Sequence, residues 1–105
     1  MSGERADGDA ARVLRYPPPM AIDDEFAAAK ERVQKLTKVG NEDMLRLYAF
    51  FKQASEGDVK GARPGMMDFK GRAKYDAWST CKGTSSEDAK RAYIAAAVQI
   101  EQKYR

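Results

Sequence analysis

The sequence predicts an all-α domain, a four-helix bundle preceded by a mobile amino-terminal extension. Three observations predict it. Apolar residues recur at steps of three and four in four separate segments, glycines or capping patterns punctuate those segments, and no stretch is a strand candidate. The chain has 105 residues, the length of one domain.

Residues 1–21 mix Gly, Ala, Asp and Arg and carry Tyr16-Pro17-Pro18-Pro19, which favours extended polyproline geometry. They read as a spacer ahead of a helical domain over residues 22–105. From Ile22 the period becomes helical: Ile22, Phe26, Ala29, Val33 and Leu36 follow one face, and Asp23, Asp24 and Glu25 suit the positive end of the helix dipole. Gly40 is expected to stop this helix. Asn41 is expected to cap the next, on which Met44, Leu47, Tyr48, Phe51 and Ala54 share a side before Gly57.

Gly61, Pro64 and Gly65 make Asp58 to Met67 a long loop, with Met66 and Met67 expected against the core. A third helix is expected from Asp68 to Lys82, closed by Gly83, its apolar stripe made of Phe69, Ala73, Ala77, Trp78 and Cys81. Thr84-Ser85-Ser86-Glu87 fits a capping box opening the fourth helix. Along it run Ala89, Tyr93, Ala96, Ile100 and Tyr104. Short first and third connections favour antiparallel neighbours, and the long second loop can carry the chain along the bundle, so strict up-and-down order is not required.

Composition removes several chemistries. With no histidine there is no Ser-His-Asp or Cys-His pair, and the lone Cys81 cannot build a Cys-rich zinc site or an internal disulfide. Cys81 reads as a small core hydrophobe. The acidic residues form no convergent pair, so no catalytic residue, metal ligand or cofactor site is assigned. No apolar run reaches the roughly 18 to 20 residues that span a bilayer. The charged amino terminus resembles neither a secretory signal nor a transit peptide, which makes the cytoplasm the expected location.

Charge is unevenly spread. Residues 1–25 hold three basic and six acidic side chains, a balance of −3, whereas residues 26–105 hold sixteen against ten, a balance of +6. A basic domain favours an anionic partner. On the second helix, Tyr48, Phe51 and Lys52 put two aromatic rings and an ammonium on adjacent turns, which suits a purine with a phosphate. The same residues are also compatible with an ordinary core edged by a snorkelling lysine.

The segments Met44-Leu45-Arg46-Leu47-Tyr48-Ala49-Phe50-Phe51-Lys52-Gln53-Ala54, Gly57-Asp58, Arg63-Pro64-Gly65-Met66, Lys74-Tyr75-Asp76-Ala77-Trp78 and Lys82-Gly83-Thr84-Ser85 resemble the acyl-CoA-binding protein family. The resemblance runs from about Phe26 to Tyr104. It implies an up-down-down-up four-helix fold that holds one long-chain acyl-CoA without catalysis, for buffering and transport. It further implies that Lys52 and Lys74 meet the phosphates of the 3′-phospho-ADP head. Tyr48 and Tyr93 would flank nucleotide and pantetheine, and Ala49, Phe50 and Phe51 of the same motif would also contact the ligand. Met44, Leu45 and Ala29 are candidates for the acyl-chain groove. Four positions depart from the family's usual residues. Phe51 replaces a tyrosine, Tyr75 a tryptophan, Lys30 an alanine and Gln34 a lysine.

The partners expected are long-chain acyl-CoA and, transiently, membranes or acyl-CoA-using enzymes; no nucleic acid is expected, and the chain is expected to be a monomer. The competing classes are a helical protein-interaction or signalling module and a nucleic-acid module. The cations are spread over all four helices with no recognition-helix cluster, which weighs against the latter.

Overall fold

The computed structural model describes residues 21–104. The extension expected over residues 1–21 therefore falls, except for Ala21, outside the described residues. Four helices follow in order: α1 (Ile22–Gln34), α2 (Asn41–Glu56), α3 (Phe69–Ser79) and α4 (Ser86–Tyr104), with no strand among the described residues.

Helix α1 starts where the acidic triplet predicts and buries Phe26, Ala29 and Val33. It ends earlier than expected. Leu36 N–H already donates to the Val33 carbonyl at 3.0 Å as a tightened turn, and Lys38, at φ 61°, is left-handed two residues before Gly40. Gly40 is extended at φ −65°, ψ 155° and, in place of Asn41, occupies the cap position of α2, where no side chain caps the helix. Its lack of a side chain serves a close approach. Gly40 N–H donates to the Tyr104 hydroxyl at 3.0 Å, and a Cβ there would lie 3.0 Å from the same oxygen.

Asp68 caps α3 by accepting from Gly71 N–H at 2.9 Å. The helix stops at Ser79, not Lys82. Residues 80–83 form turns in which Cys81 N–H donates to the Trp78 carbonyl and Thr84 N–H to the Cys81 carbonyl, with Gly83 at φ 90°. The cap of α4 is displaced by one residue from the expected box. Ser85 Oγ accepts from Asp88 N–H at 3.0 Å, while the Thr84 carbonyl accepts from Gln53 Nε2 at 2.8 Å.

Side-chain pairs set the topology. Asp23 meets Lys90 and Arg32 meets Glu101, so α1 and α4 run parallel. Asp43 meets Lys103 while Ser86 Oγ donates to the Ala54 carbonyl, so α2 and α4 run antiparallel. Lys74 lies over Tyr48 and Lys52 over Trp78, so α3 runs parallel to α2. The order is up-down-down-up. Helix α4 packs on both α1 and α2, and α3 packs on α2; α1 and α2 do not approach each other closely. That separation leaves space between them.

The core joins Phe26, Ala29 and Val33 to Leu47 and Ala54 and to Ala89, Tyr93, Ala96, Ala97 and Ile100. Small residues on α4 let neighbouring backbones come close while Phe26 fills the gap, edge-on to Tyr93 at 5.1 Å between centroids. Trp78 and Cys81 are buried, as expected, and Trp78 Nε1 donates to the Gly57 carbonyl at 2.7 Å. Asp58 links three segments, accepting from Gln53 Nε2 and Gly83 N–H, both at 2.8 Å.

The expectation that Met66, Met67 and Phe69 join the core is overturned. They are 77%, 88% and 75% exposed. The loop is fastened to the flank of α3 by Arg63, whose guanidinium bonds both oxygens of Asp76, and by the Tyr75 hydroxyl donating to the Gly61 carbonyl. With the loop held there, the buried side of α3 is centred on Trp78, and residues 66–69 face outward.

Candidate functional site

The space between α1 and α2 is an open cleft of about 530 Å³ with Tyr93 of α4 among its lining. Its apolar lining includes Val33, Leu36, Val39, Leu47 and Phe51, and Lys30, Gln34, Lys38, Met44 and Tyr48 also border it. The 3.6-residue period puts Met44, Tyr48 and Phe51 on one side of α2, with Leu47 at its base. Phe51 is near-parallel to Phe26 at 6.4 Å, which fixes one wall to the core.

Of the residues expected from the sequence, Met44, Tyr48, Phe51 and Tyr93 come together in this cleft. Lys74 joins them from α3, its Nζ 5.5 Å from the centre of the Tyr48 ring. Lys52 stands one turn beyond Tyr48, over the Trp78 ring at 4.8 Å and paired with Glu56. Leu45, Ala49 and Phe50 line a smaller depression of about 230 Å³ against Ala77 and Thr80, on the opposite side of α2. Ala29 has no exposed surface, so it supports the cleft from within the core and cannot form its wall.

Sequence reasoning missed Leu36, Lys38 and Val39 as cleft residues. They belong to the α1–α2 connection, and the only available signal was the short link before Asn41, which must hold apolar residues against the bundle. Lys30 and Gln34, noted only as departures from the family pattern, both border the cleft. Two of those departures meet: Lys30 Nζ lies 5.4 Å from the Phe51 ring centre and 4.7 Å from that of Phe26.

Electrostatics divides the site. Apolar surface forms its floor, while Lys30, Lys38 and Lys74 place ammonium groups at or beside its edge. Burial pushes the Tyr93 phenol up, so it remains protonated at neutral pH and offers an O–H donor. Glu56 is held low by its hydrogen bond from Lys52, keeping a carboxylate beside that lysine. Asp43, at the start of α2, is held low by hydrogen bonds from Lys103 and Tyr104, which anchor α2 to the end of α4.

The cleft joins an apolar floor to aromatic rings and ammonium groups within a small all-helical domain. Residues 23–97 match the family model described as "Acyl CoA binding protein". The chain belongs to the acyl-CoA-binding protein family. It is 48% identical over 84 residues to an acyl-CoA-binding protein homolog of Drosophila melanogaster, covering 79% of this chain and 98% of that protein. It is 45% identical over 82 residues to acyl-CoA-binding domain-containing protein 6 of Arabidopsis thaliana, covering 77% and 89% respectively. Among solved structures, Oryza sativa acyl-CoA-binding protein 2 is similar with a TM-score of 0.75 and 37% identity, over 78% of this chain and 90% of that one. The acyl-CoA-binding protein of Moniliophthora perniciosa gives 0.73 and 41%, over 82% and 85%.

Proposed function

We propose that this protein binds long-chain fatty acyl-CoA non-covalently as a monomer in the cytoplasm, and buffers and carries the thioester without chemical change. The single observation that carries this reading is the cleft itself, where an apolar floor runs up to Tyr48 with the Lys74 ammonium over its ring. An acyl-CoA has the same division. Its hydrocarbon chain gains about 0.8 kcal/mol per buried methylene, so about ten buried methylenes contribute about 8 kcal/mol. Its phosphates gain charge-assisted hydrogen bonds.

In this reading, Lys74 and Lys52 bind the phosphates of the 3′-phospho-ADP head, and Tyr48 stacks against the nucleotide. Tyr93 donates its hydroxyl to the pantetheine, and Phe51 packs beside it. Ala49 and Phe50 keep α2 seated against its neighbours. Met44, with Leu36, Val39 and Leu47, contacts the acyl chain. Leu45 and Ala29 take no part in that groove, because one faces the far side of α2 and the other is enclosed. Lys30 and Lys38 add cations on the cleft wall. None of these residues is assigned a catalytic role.

Calorimetric titration with palmitoyl-CoA tests the proposal, with free CoA, palmitate and duplex oligonucleotide as comparators. One-to-one binding of the thioester, at least tenfold tighter than any comparator, is the expected result. Equal affinity for the oligonucleotide would replace the acyl-CoA reading with a nucleic-acid one.

A further inference from the structure

The last turn of α4 makes a contact that the binding reading leaves unused. The Tyr104 hydroxyl accepts from Gly40 N–H at 3.0 Å and donates to Asp43 Oδ2 at 2.8 Å, and Lys103 Nζ donates to the same carboxylate oxygen at 2.9 Å. One phenol thus fastens both the α1–α2 connection and the first turn of α2 to α4. Among the described residues, the backbone of residues 37–40 makes two hydrogen bonds, this one and the one from Met44 N–H to the Gly40 carbonyl. The connection is nevertheless not relaxed. Lys38 sits at φ 61°, which a residue with a side chain keeps only where its surroundings hold it.

What depends on that contact is one end of the cleft. Leu36, Lys38 and Val39 border the cleft, whereas Tyr104 lies outside its lining. The connection passes from α1 to α2 and so closes the space between them at the Asn41 end of α2, the end opposite Lys52. Leu36 and Val39 supply the apolar part of this wall, packed half-buried against the core, as is the Tyr104 ring. Gly40 fits the same contact from the other side. Its extended backbone suits any residue, so space is what favours glycine there, a Cβ lying 3.0 Å from the phenol oxygen.

Distance makes this wall a gauge of chain length. Gly40 is eight residues from Tyr48, about 12 Å along α2. An extended acyl chain that enters beside Tyr48 has to cover that distance to reach the connection; a palmitoyl chain does so and an octanoyl chain does not. We propose that Tyr104 is a positioning residue for chain-length preference, its hydroxyl holding residues 36–40 as the end wall against which a long acyl chain packs. This proposal rests on the acyl-CoA reading of the cleft. Tyr104 acts through the connection and does not touch the ligand.

Tyr104→Phe in the full chain tests it, because the ring and its packing stay while both hydrogen bonds go. Calorimetric titration should show palmitoyl-CoA binding at least fivefold more weakly than to the wild type, with octanoyl-CoA affinity within twofold, so that the preference for the longer chain narrows. Gly40→Ala should narrow it in the same way by displacing the phenol, and in a Tyr104→Phe background it should add less than twofold, since the crowding oxygen is then gone. Equal losses for the two thioesters would mean a general structural role and overturn the proposal, as would an unchanged ratio. Amide exchange at Gly40, followed by NMR without ligand, should be at least tenfold faster in Tyr104→Phe; unchanged protection would overturn the clasp itself. A wild type that binds neither thioester would overturn the acyl-CoA reading and the chain-length role together. The Gly40 exchange rate and the wild-type titration thus tell failure of the clasp from failure of the cleft reading.

Discussion

Replacing Lys74 with alanine separates a binding role from a structural one, because the residue contributes little to folding. Its side chain is exposed on α3, and its one described contact is the Tyr48 ring at 5.5 Å. An exposed ammonium–ring contact contributes about 0.5 to 1 kcal/mol, and alanine recovers a few tenths through its higher helix propensity. The melting temperature should therefore fall by less than about 5 °C, given roughly 4 to 8 °C per kcal/mol for a domain of this size. A charge-assisted bond to phosphate contributes more, about 1.5 to 3 kcal/mol, or roughly 10- to 150-fold in affinity. Titration calorimetry with palmitoyl-CoA should show that loss, and the variant's affinity should depend less on salt than the wild type's. Unchanged affinity and salt dependence at Lys74→Ala would refute the assignment. A drop in affinity matched by collapse of the melting temperature would refute the claim that the lysine acts on the ligand directly.

Three further outcomes follow from the packing. Phe26→Ala removes the ring between Phe51, Tyr93 and Lys30 and should cost about 3 to 5 kcal/mol in urea denaturation; a loss under about 1 kcal/mol would contradict the core described. A Cβ at Gly71 would come within 2.2 Å of the Asp68 carboxylate, so Gly71→Ala should exchange the usual helix gain of about 0.5 to 1 kcal/mol for loss of a cap worth about 1 kcal/mol. In an Asp68→Ala background the same change should become stabilising, and a full gain in the wild-type background would disprove the clash. Asp43, Asp58 and Asp76 are held below the usual carboxylate range by Lys103 with Tyr104, by Gly83 N–H with Gln53, and by Arg63 respectively. Their folded values are depressed, so their contribution is present above about pH 4 and is lost as pH falls through the folded values; Asp43→Asn should flatten that acid limb of the denaturation profile.

Much of the local structure was legible because it rests on contacts between near neighbours. The acidic first turn of α1, the entry of α3 at Asp68 and the heptad-like spacing of Phe26, Ala29 and Val33 all depend on residues within one or two turns. The failures occurred where distant groups compete. Asn41 lost the cap position of α2 to Gly40, whose N–H lies against the hydroxyl of Tyr104, 64 residues away. Thr84 lost its cap to Ser85 where its carbonyl meets Gln53. Met66, Met67 and Phe69 look like core by composition, and only the Arg63–Asp76 and Tyr75–Gly61 contacts turn them outward.

The sequence by itself determined that this is a basic, histidine-free bundle of four amphipathic helices, because periodicity, capping and charge are written in the order of residues. Its motif pattern also pointed to the acyl-CoA-binding protein family, in which the model of residues 23–97 places it. The tertiary structure alone decided which of the motif residues face one another. Tyr93 reaches the cleft because α4 crosses behind both α1 and α2, and Lys74 reaches Tyr48 because α3 runs parallel to α2. Leu45 and Ala49, though adjacent to the cleft residues in sequence, face away because each residue turns the helix by about 100°. A cleft exists only because α1 and α2 stay apart while sharing α4, and such separations are set by the volumes of packed side chains from all three helices.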